Sequence, residues 1–367
     1  MRKKYTWAIV GIIGVSIITG LGISIPFMIP PSHTIELLPD NYWPTDEWLT
    51  VTPERLNMSS SKFEEMYDYI QMNSVNLHSV LIVRNNFIVE ESFLQNYVRR
   101  DEDYFAPNWM VPTGANHMHH IWSCTKSVIS LLIGIAIEMG YIDNISQTIY
   151  EFFEDYWHPS YDIRKKDVTI EHLLTQTSGF PYGYYETYQS YIEESLNETL
   201  LFDPGTNWEY SNTGCMLLSG IINVTTGMKT SEFAREYLFE PIGISQEDWS
   251  WWQDYQGTTS GAYGLHISPR AMARIGILCL NYGSWNGTQV VPEEWIEESI
   301  TPSFFSGYGY LWWLNPVYYL AGGYLGQWIT MIPEYNITVI LTAEIAEGTY
   351  SSRYNFIINT FIIGAII

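Results

Sequence analysis

The segment Val128-Ile129-Ser130-Leu131-Leu132-Ile133-Gly134-Ile135-Ala136-Ile137-Glu138-Met139-Gly140 has Glu138 as its one charge. A helix this apolar has no wet face, so it must run through the interior with the rest of the chain built around it. Gly140 ends it as a left-handed cap residue. Ser123-Cys124-Thr125-Lys126 opens the same helix, so Ser123 and Lys126 at i,i+3 share a face. The helix N-terminus supplies partial positive charge where an oxyanion would form. The apolar run beyond Lys126 desolvates its ammonium and lowers its pKa, as a general base requires. Ser123 is therefore a candidate nucleophile and Lys126 its base. The bare Ser-x-x-Lys pattern is weak, because Ser59 and Lys62 match it too. That second copy has a structural reading, since Ser61 and Glu64 form a capping box for a helix starting near Lys62.

The order of patterns around the central helix sets the fold. A helix is expected over residues 62–72, then a hairpin of 79–84 and 87–93 turning at Asn85-Asn86. Residues 97–117, polar and broken by Pro107, Pro112 and Gly114, read as loop. From Ser123 to Thr301 the signals are mainly helical: 167–174, 217–226, 231–238 and 268–280 are amphipathic. Strand patterns return at 308–313, 324–332 and 337–342, and 354–363 reads as a closing helix stopped by Gly364. Strands from both ends form one antiparallel sheet flanked by helices, and the middle inserts as an all-helical lobe: an α+β fold. The sheet lobe is expected at 55–118 and 302–367 and the helical lobe at 119–301. Ser123 stands where the chain crosses between lobes, and clefts between lobes are where substrates bind.

Net charge is −23, from 17 basic and 40 acidic residues, which argues against nucleic acid as a partner. Three widely spaced cysteines give neither a disulfide framework nor a zinc spacing. Met1-Arg2-Lys3-Lys4 is basic, and residues 7–29 are almost continuously apolar, long enough to cross a bilayer. Acidic residues follow, so the positive-inside rule sets the N-terminus in the cytoplasm and the remainder outside. Residues 1–30 are expected to be an uncleaved transmembrane helix, with a cleaved signal as the alternative, and 31–54 a Pro- and acid-rich linker.

Two further stretches bear chemistry. Tyr210-Ser211-Asn212 is the one Tyr-x-Asn in a chain with 28 tyrosines. A phenol near Lys126 would relay a proton between nucleophile and leaving group, and Asn212 can donate to a substrate carbonyl and accept from an amide. The plainer reading is a buried tyrosine and a turn asparagine ahead of a helix. Tyr319-Leu320-Ala321-Gly322-Gly323-Tyr324 has glycines at the start of a strand, where backbone can approach a ligand closely. A backbone N–H there would complete an oxyanion hole with that of Ser123; glycine turns between strands are the ordinary alternative.

Taken together in order and spacing, these stretches resemble the serine β-lactamase and penicillin-binding-protein superfamily. The likeness is to the class C-like branch that also holds D-alanyl peptidases, carboxylesterases and 6-aminohexanoate-dimer hydrolases. It runs from about Ser61 to the C-terminus. It includes Ile121-Trp122-Ser123-Cys124-Thr125-Lys126-Ser127, the run from Val168 to Gly179, Phe202-Asp203-Pro204-Gly205-Thr206, Tyr210-Ser211-Asn212 and Gly261-Ala262-Tyr263-Gly264-Leu265. The resemblance implies a β-lactamase/transpeptidase-like fold with Ser123 acylated, Lys126 as base and Tyr210 as second proton-transfer group. Asn212, Gly322, Gly323 and Tyr324 would bind substrate, the backbone N–H groups of Ser123 and Tyr324 forming the oxyanion hole. No cofactor or metal is implied. Members that bind carboxylates usually carry Lys or His before the glycine of the third motif, where this chain has Ala321-Gly322-Gly323. The expectation therefore turns from β-lactam and D-Ala-D-Ala substrates toward a small-molecule or peptide-like ester or amide. The alternatives are D-alanyl peptidase or β-lactamase activity, or a low-turnover penicillin-binding-like sensor. The aromatic loop 180–191 is expected to shape the acyl pocket, Tyr184 and Tyr185 above all. His117, His119 and His120 read as surface loop histidines and His172 as a helix residue packing locally.

Overall fold

A computed structural model of the chain describes residues 38–39, 41–94, 97–98, 110–111, 114–183, 189–345 and 350–367. The expected membrane span, the start of the linker, and Tyr184 and Tyr185 lie outside the described residues. Among the described residues no helix is long and apolar enough to cross a membrane. Asn41–Ile367 forms one compact unit.

In chain order, α1 (Ser60–Met72) leads into the hairpin β1 (Leu77–Arg84) and β2 (Phe87–Phe93). Asn85 and Asn86 both take positive φ, as a two-residue hairpin turn requires. A short pair, β3 (Tyr97–Val98) and β4 (Met110–Val111), precedes β5 (His119–His120) and α2 (Cys124–Glu138). The middle of the chain holds α3 (Ile149–Phe153), α4 (Ile170–Leu174), α5 (Tyr191–Asn197), α6 (Asn212–Thr226) and α7 (Thr230–Ala234). Then come β6 (Trp249–Trp251), β7 (Leu265–Ile267), α8 (Pro269–Leu280), the two-residue strands β8 (Ser284–Trp285) and β9 (Thr288–Gln289), and α9 (Glu293–Ser299). The chain closes with β10 (Trp313–Leu314), β11 (Tyr319–Gly323), β12 (Gln327–Ile332), β13 (Ile337–Ala343) and α10 (Tyr350–Ile357).

Strands from the two ends meet in one antiparallel sheet of order β10-β11-β12-β13-β1-β2. Every residue of β12 and β13 is buried, so both faces are covered. Successive side chains show how. Ile329 faces α8, where Gly276 lets the helix lie against Ile329 and Thr338. Trp328 faces the other way and meets the edge of Tyr354 on α10 at 4.9 Å between centroids. Thirteen consecutive residues of α2, Cys124 to Ala136, are buried. The helix touches β11 and β12 on one side and α6 on another. Trp295 of α9 closes a further side over Gly134, its Nε1 donating to Ser130 O at 2.9 Å.

Several expectations need correction. The insert is not all-helical: β5, β7 and β6 form a three-stranded antiparallel sheet within it. The described part of the expected linker docks on the domain; Val51 N donates to Ile88 O and Arg274 Nε to Pro44 O. α1 starts at Ser60 because the Glu54 carboxylate accepts from Ser60 N at 2.8 Å, so Ser61 and Glu64 are not its cap. Of the expected strand 308–313 only Trp313 belongs to a strand, β10; Leu311 takes φ +65° and turns the chain. Gly322 and Gly323 end β11 instead of starting a strand, and β12 begins at Gln327. The closing helix starts earlier than expected and continues past Gly364 as short irregular turns, because the tail is tied to Met58 and Ser59.

Candidate active site

Ser123 occupies a sharp corner. β5 pairs with β7 through His119↔Ile267 and His120↔His266, and Ile121 N donates to Leu265 O at 3.0 Å. Trp122 then takes φ +50°, a conformation that costs a bulky residue on the order of 1–3 kcal/mol. The contacts around it hold that turn, including the His120 ring at 3.9 Å from its own. The corner swings the chain directly into α2 and presents Ser123, half-buried, at the helix N-terminus.

Lys126 lies one turn further on and is 1% exposed. Its Nζ makes three hydrogen bonds: to Ser123 Oγ at 3.0 Å, Asn212 Oδ1 at 2.7 Å and Ala262 O at 2.8 Å. An ammonium has three donors and no acceptor, so this set fits the charged form. In the neutral amine, Asn212 and Ala262 hold the two remaining N–H groups and the lone pair faces the Ser123 hydroxyl. Burial pushes the lysine down to about 8.

Tyr210 completes the group. Its ring lies 4.9 Å from Lys126 Nζ, and its phenol is close enough to the Ser123 side chain to feel it electrostatically. Burial drives the phenol above its ordinary value, so it keeps its proton at neutral pH. The same burial pushes the two groups in opposite senses, lysine toward base and tyrosine toward acid. The loop carrying Tyr210 is pinned by Gln176, whose carbonyl accepts from Glu209 N and whose Oε1 accepts from Ser211 N. Ser211 caps α6 by accepting from Gly214 N.

Asn212 stands behind Lys126. It is 3% exposed, its Oδ1 is taken by Lys126, and Nδ2 donates to Gly183 O at 3.2 Å. Its evident work is to orient the lysine, with one Nδ2 hydrogen left over for a ligand. Gly322, Gly323 and Tyr324 come to the same corner from β11. A Cβ on Gly323 would stand 2.2 Å from Ile121 O, so only glycine lets the strand end press against the segment leading to Ser123. Tyr324 follows, its ring edge-on to Trp122 at 5.4 Å. Ser123 and Tyr324 thus follow the two sides of one contact, two residues after Ile121 and one after Gly323. Ala321 is fully buried, and its carbonyl accepts from Cys124 Sγ.

Sequence reasoning missed the Ala262 carbonyl and the Gln176 bracket. The signal for Ala262 was the stretch Gly261-Ala262-Tyr263-Gly264: a Cβ on Gly261 would lie 2.0 Å from Cys215 O, so the glycine brings this loop onto α6 beside Lys126. Of the three expected surface loop histidines, His117 is an exposed loop residue, but His119 and His120 lie in β5. His119 is buried against His78, burial lowering both, to about 4 and about 3. His120 stacks on His266 at 4.5 Å. His172 packs locally, its Nδ1 accepting from Thr169 N. Among the described residues no group of His, Cys, Asp and Glu is arranged to hold a metal.

The protein-family model described as Beta-lactamase matches residues 96–356. A penicillin-binding protein of Bacillus subtilis is 28% identical over 148 residues, covering 37% of this chain and 31% of the relative. The 6-aminohexanoate-dimer hydrolase of Paenarthrobacter ureafaciens is 22% identical over 256 residues, covering 59% and 62%. The matches thus span less than two thirds of either curated relative. Among solved structures, EstCE1, described as a hydrolase with promiscuous acyltransferase activity, aligns with TM-score 0.66 at 14% identity. That alignment covers 83% of this chain and 98% of EstCE1, a likeness of fold.

Proposed function

We propose, from the premise that this chain belongs to the Beta-lactamase family, that it is a serine hydrolase cleaving an uncharged ester or amide through an acyl-enzyme on Ser123. One observation carries the reading: the Ser123 hydroxyl accepts from a buried lysine lowered to about 8, and a phenol that keeps its proton packs against that same lysine. Neutral Lys126 takes the hydroxyl proton as Oγ bonds to the substrate carbonyl carbon. The carbonyl oxygen gains the negative charge beside the N–H groups of Ser123 and Tyr324, where the α2 N-terminus adds its partial charge. As the tetrahedral centre collapses, the bond to the leaving atom breaks. Tyr210 gives that atom its phenolic proton and regains one from Lys126. Water then adds to the acyl carbon through the same relay in reverse, releasing the acid and restoring Ser123.

The preference for an uncharged substrate rests on the third motif and on where the cations are spent. Ala321 supplies no charge, and Lys126 is committed to its hydrogen bonds. Lys165, Arg270 and Arg274 bind Leu196 O, Glu91 and the Pro44 and Thr45 carbonyls. The relatives named as hydrolases support the hydrolytic part of this reading. The basic and apolar N-terminal sequence supports a domain held outside the cytoplasm by a membrane anchor.

The test is a burst experiment with a neutral nitrophenyl ester. An acyl-enzyme whose breakdown is slow gives a first burst of nitrophenol equal to the enzyme present, lost in Lys126→Ala. Linear release in wild type, unaltered by Lys126→Ala, would count against the mechanism. External protease on intact cells should remove the domain; full protection would overturn the location.

A further inference from the structure

We infer that Trp313 forms the floor of a leaving-group subsite that selects a planar, uncharged aromatic group. This rests on Tyr210 acting as proton donor, because the leaving atom must then lie at the Tyr210 hydroxyl and the leaving group beyond it. Around Tyr210 stands a wall of rings. Trp313 stacks on Tyr210 at 5.9 Å and 23°, and Trp208 lies 6.3 Å from Tyr210 on another side. Tyr182, 52% exposed, lies 6.3 Å from Tyr210, and Phe305, 42% exposed, lies 5.3 Å from Trp208. Trp313 and Trp208 are both partly open to solvent.

Trp313 also reaches the third motif. It pairs with Leu320 across β10 and β11, and a Cβ on Gly322 would stand 3.1 Å from its Cδ1. The indole therefore covers the face that Gly322 leaves bare and joins that strand to the proton donor. A face of indole and phenol rings attracts another ring by offset or edge contact, and its electron-rich faces do not attract an anion. An aryl leaving group would keep stacking while its bond to the carbonyl breaks, so the contact acts during acylation.

The test uses acetate esters, because a shared acetyl-enzyme makes deacylation common to all of them. Wild type, Trp313→Ala and Trp313→Phe are assayed with naphthyl acetate and trifluoroethyl acetate. Acetoxybenzoate anion and its methyl ester are compared on wild type. Trp313→Ala should lower kcat/KM for naphthyl acetate about tenfold relative to trifluoroethyl acetate, the rate equivalent of a lost ring contact. Trp313→Phe should restore most of it, and wild type should favour the methyl ester over the anion. An equal loss on both small and aromatic esters, or no preference against the anion, would overturn the subsite while leaving the catalytic reading intact. Absence of wild-type turnover on every ester would overturn the catalytic reading and the subsite with it.

Discussion

Replacing Asn212 by Asp changes one atom type at the position that holds the proposed base. Asn212 Oδ1 lies 2.7 Å from Lys126 Nζ, so the variant sets a carboxylate against the amine with little change of shape. With the lysine at about 8, about 9% of it is neutral at pH 7, against roughly 0.03% for an ordinary lysine. The active form is the deprotonated one, so acylation should rise about tenfold from pH 7 to pH 9 and then level off. A carboxylate at this distance raises the lysine's proton affinity roughly 10- to 1000-fold. Asn212→Asp should therefore lose about that factor in acylation rate at pH 7 and recover it as pH rises, its midpoint moved upward. Inactivation by a fluorophosphonate across pH reads acylation alone, with circular dichroism confirming the fold. A variant profile with an unmoved midpoint and only a lower plateau would refute Lys126 as the titrating base.

Other outcomes follow from the same geometry. Gly323→Ala must displace the strand end from Ile121 O, and losing one oxyanion donor should lower kcat about 100-fold or more; kinetics within a few-fold of wild type would contradict it. Tyr210→Phe should slow esters of poor alkyl leaving groups far more than nitrophenyl esters, which leave without a proton; an equal loss on both would remove the proton-donor role. Leu132→Ala, fully buried in α2, should cost about 2–5 kcal/mol in denaturant unfolding; a cost near zero would mean α2 is not the central helix.

The central helix was legible because its apolar residues leave no face for water, and the hairpin because Asn85-Asn86 suits a tight turn. Ser123, Lys126 and Tyr210 were legible as types in a known order, and the structure groups them around the Lys126 ammonium. What the sequence hid is tertiary in origin. Tyr308 to Trp312 carry strand-prone aromatics, yet Leu311 N donates to Leu174 O and Ser127 Oγ to Leu311 O, which bends them into a turn under the site. The tail continues past Gly364 because Ser59 N donates to Ala365 O, a partner some 300 residues away, roughly beyond any local signal. Ala262 acts through its backbone carbonyl, so its side chain carries no mark of the role. Asn212 showed as a polar residue near the site, but only the packing of α6 on α2 shows that its amide is turned to the lysine.

The most direct measurement is intact-mass labelling of the full chain with a fluorophosphonate, comparing wild type, Ser123→Ala and Ser59→Ala. Ser59 shares the bare motif but only flanks the start of α1, with Lys62 paired to Glu65. The account predicts a single adduct on wild type and on Ser59→Ala and none on Ser123→Ala. An adduct that survives in Ser123→Ala, or no adduct on folded wild type, would contradict it.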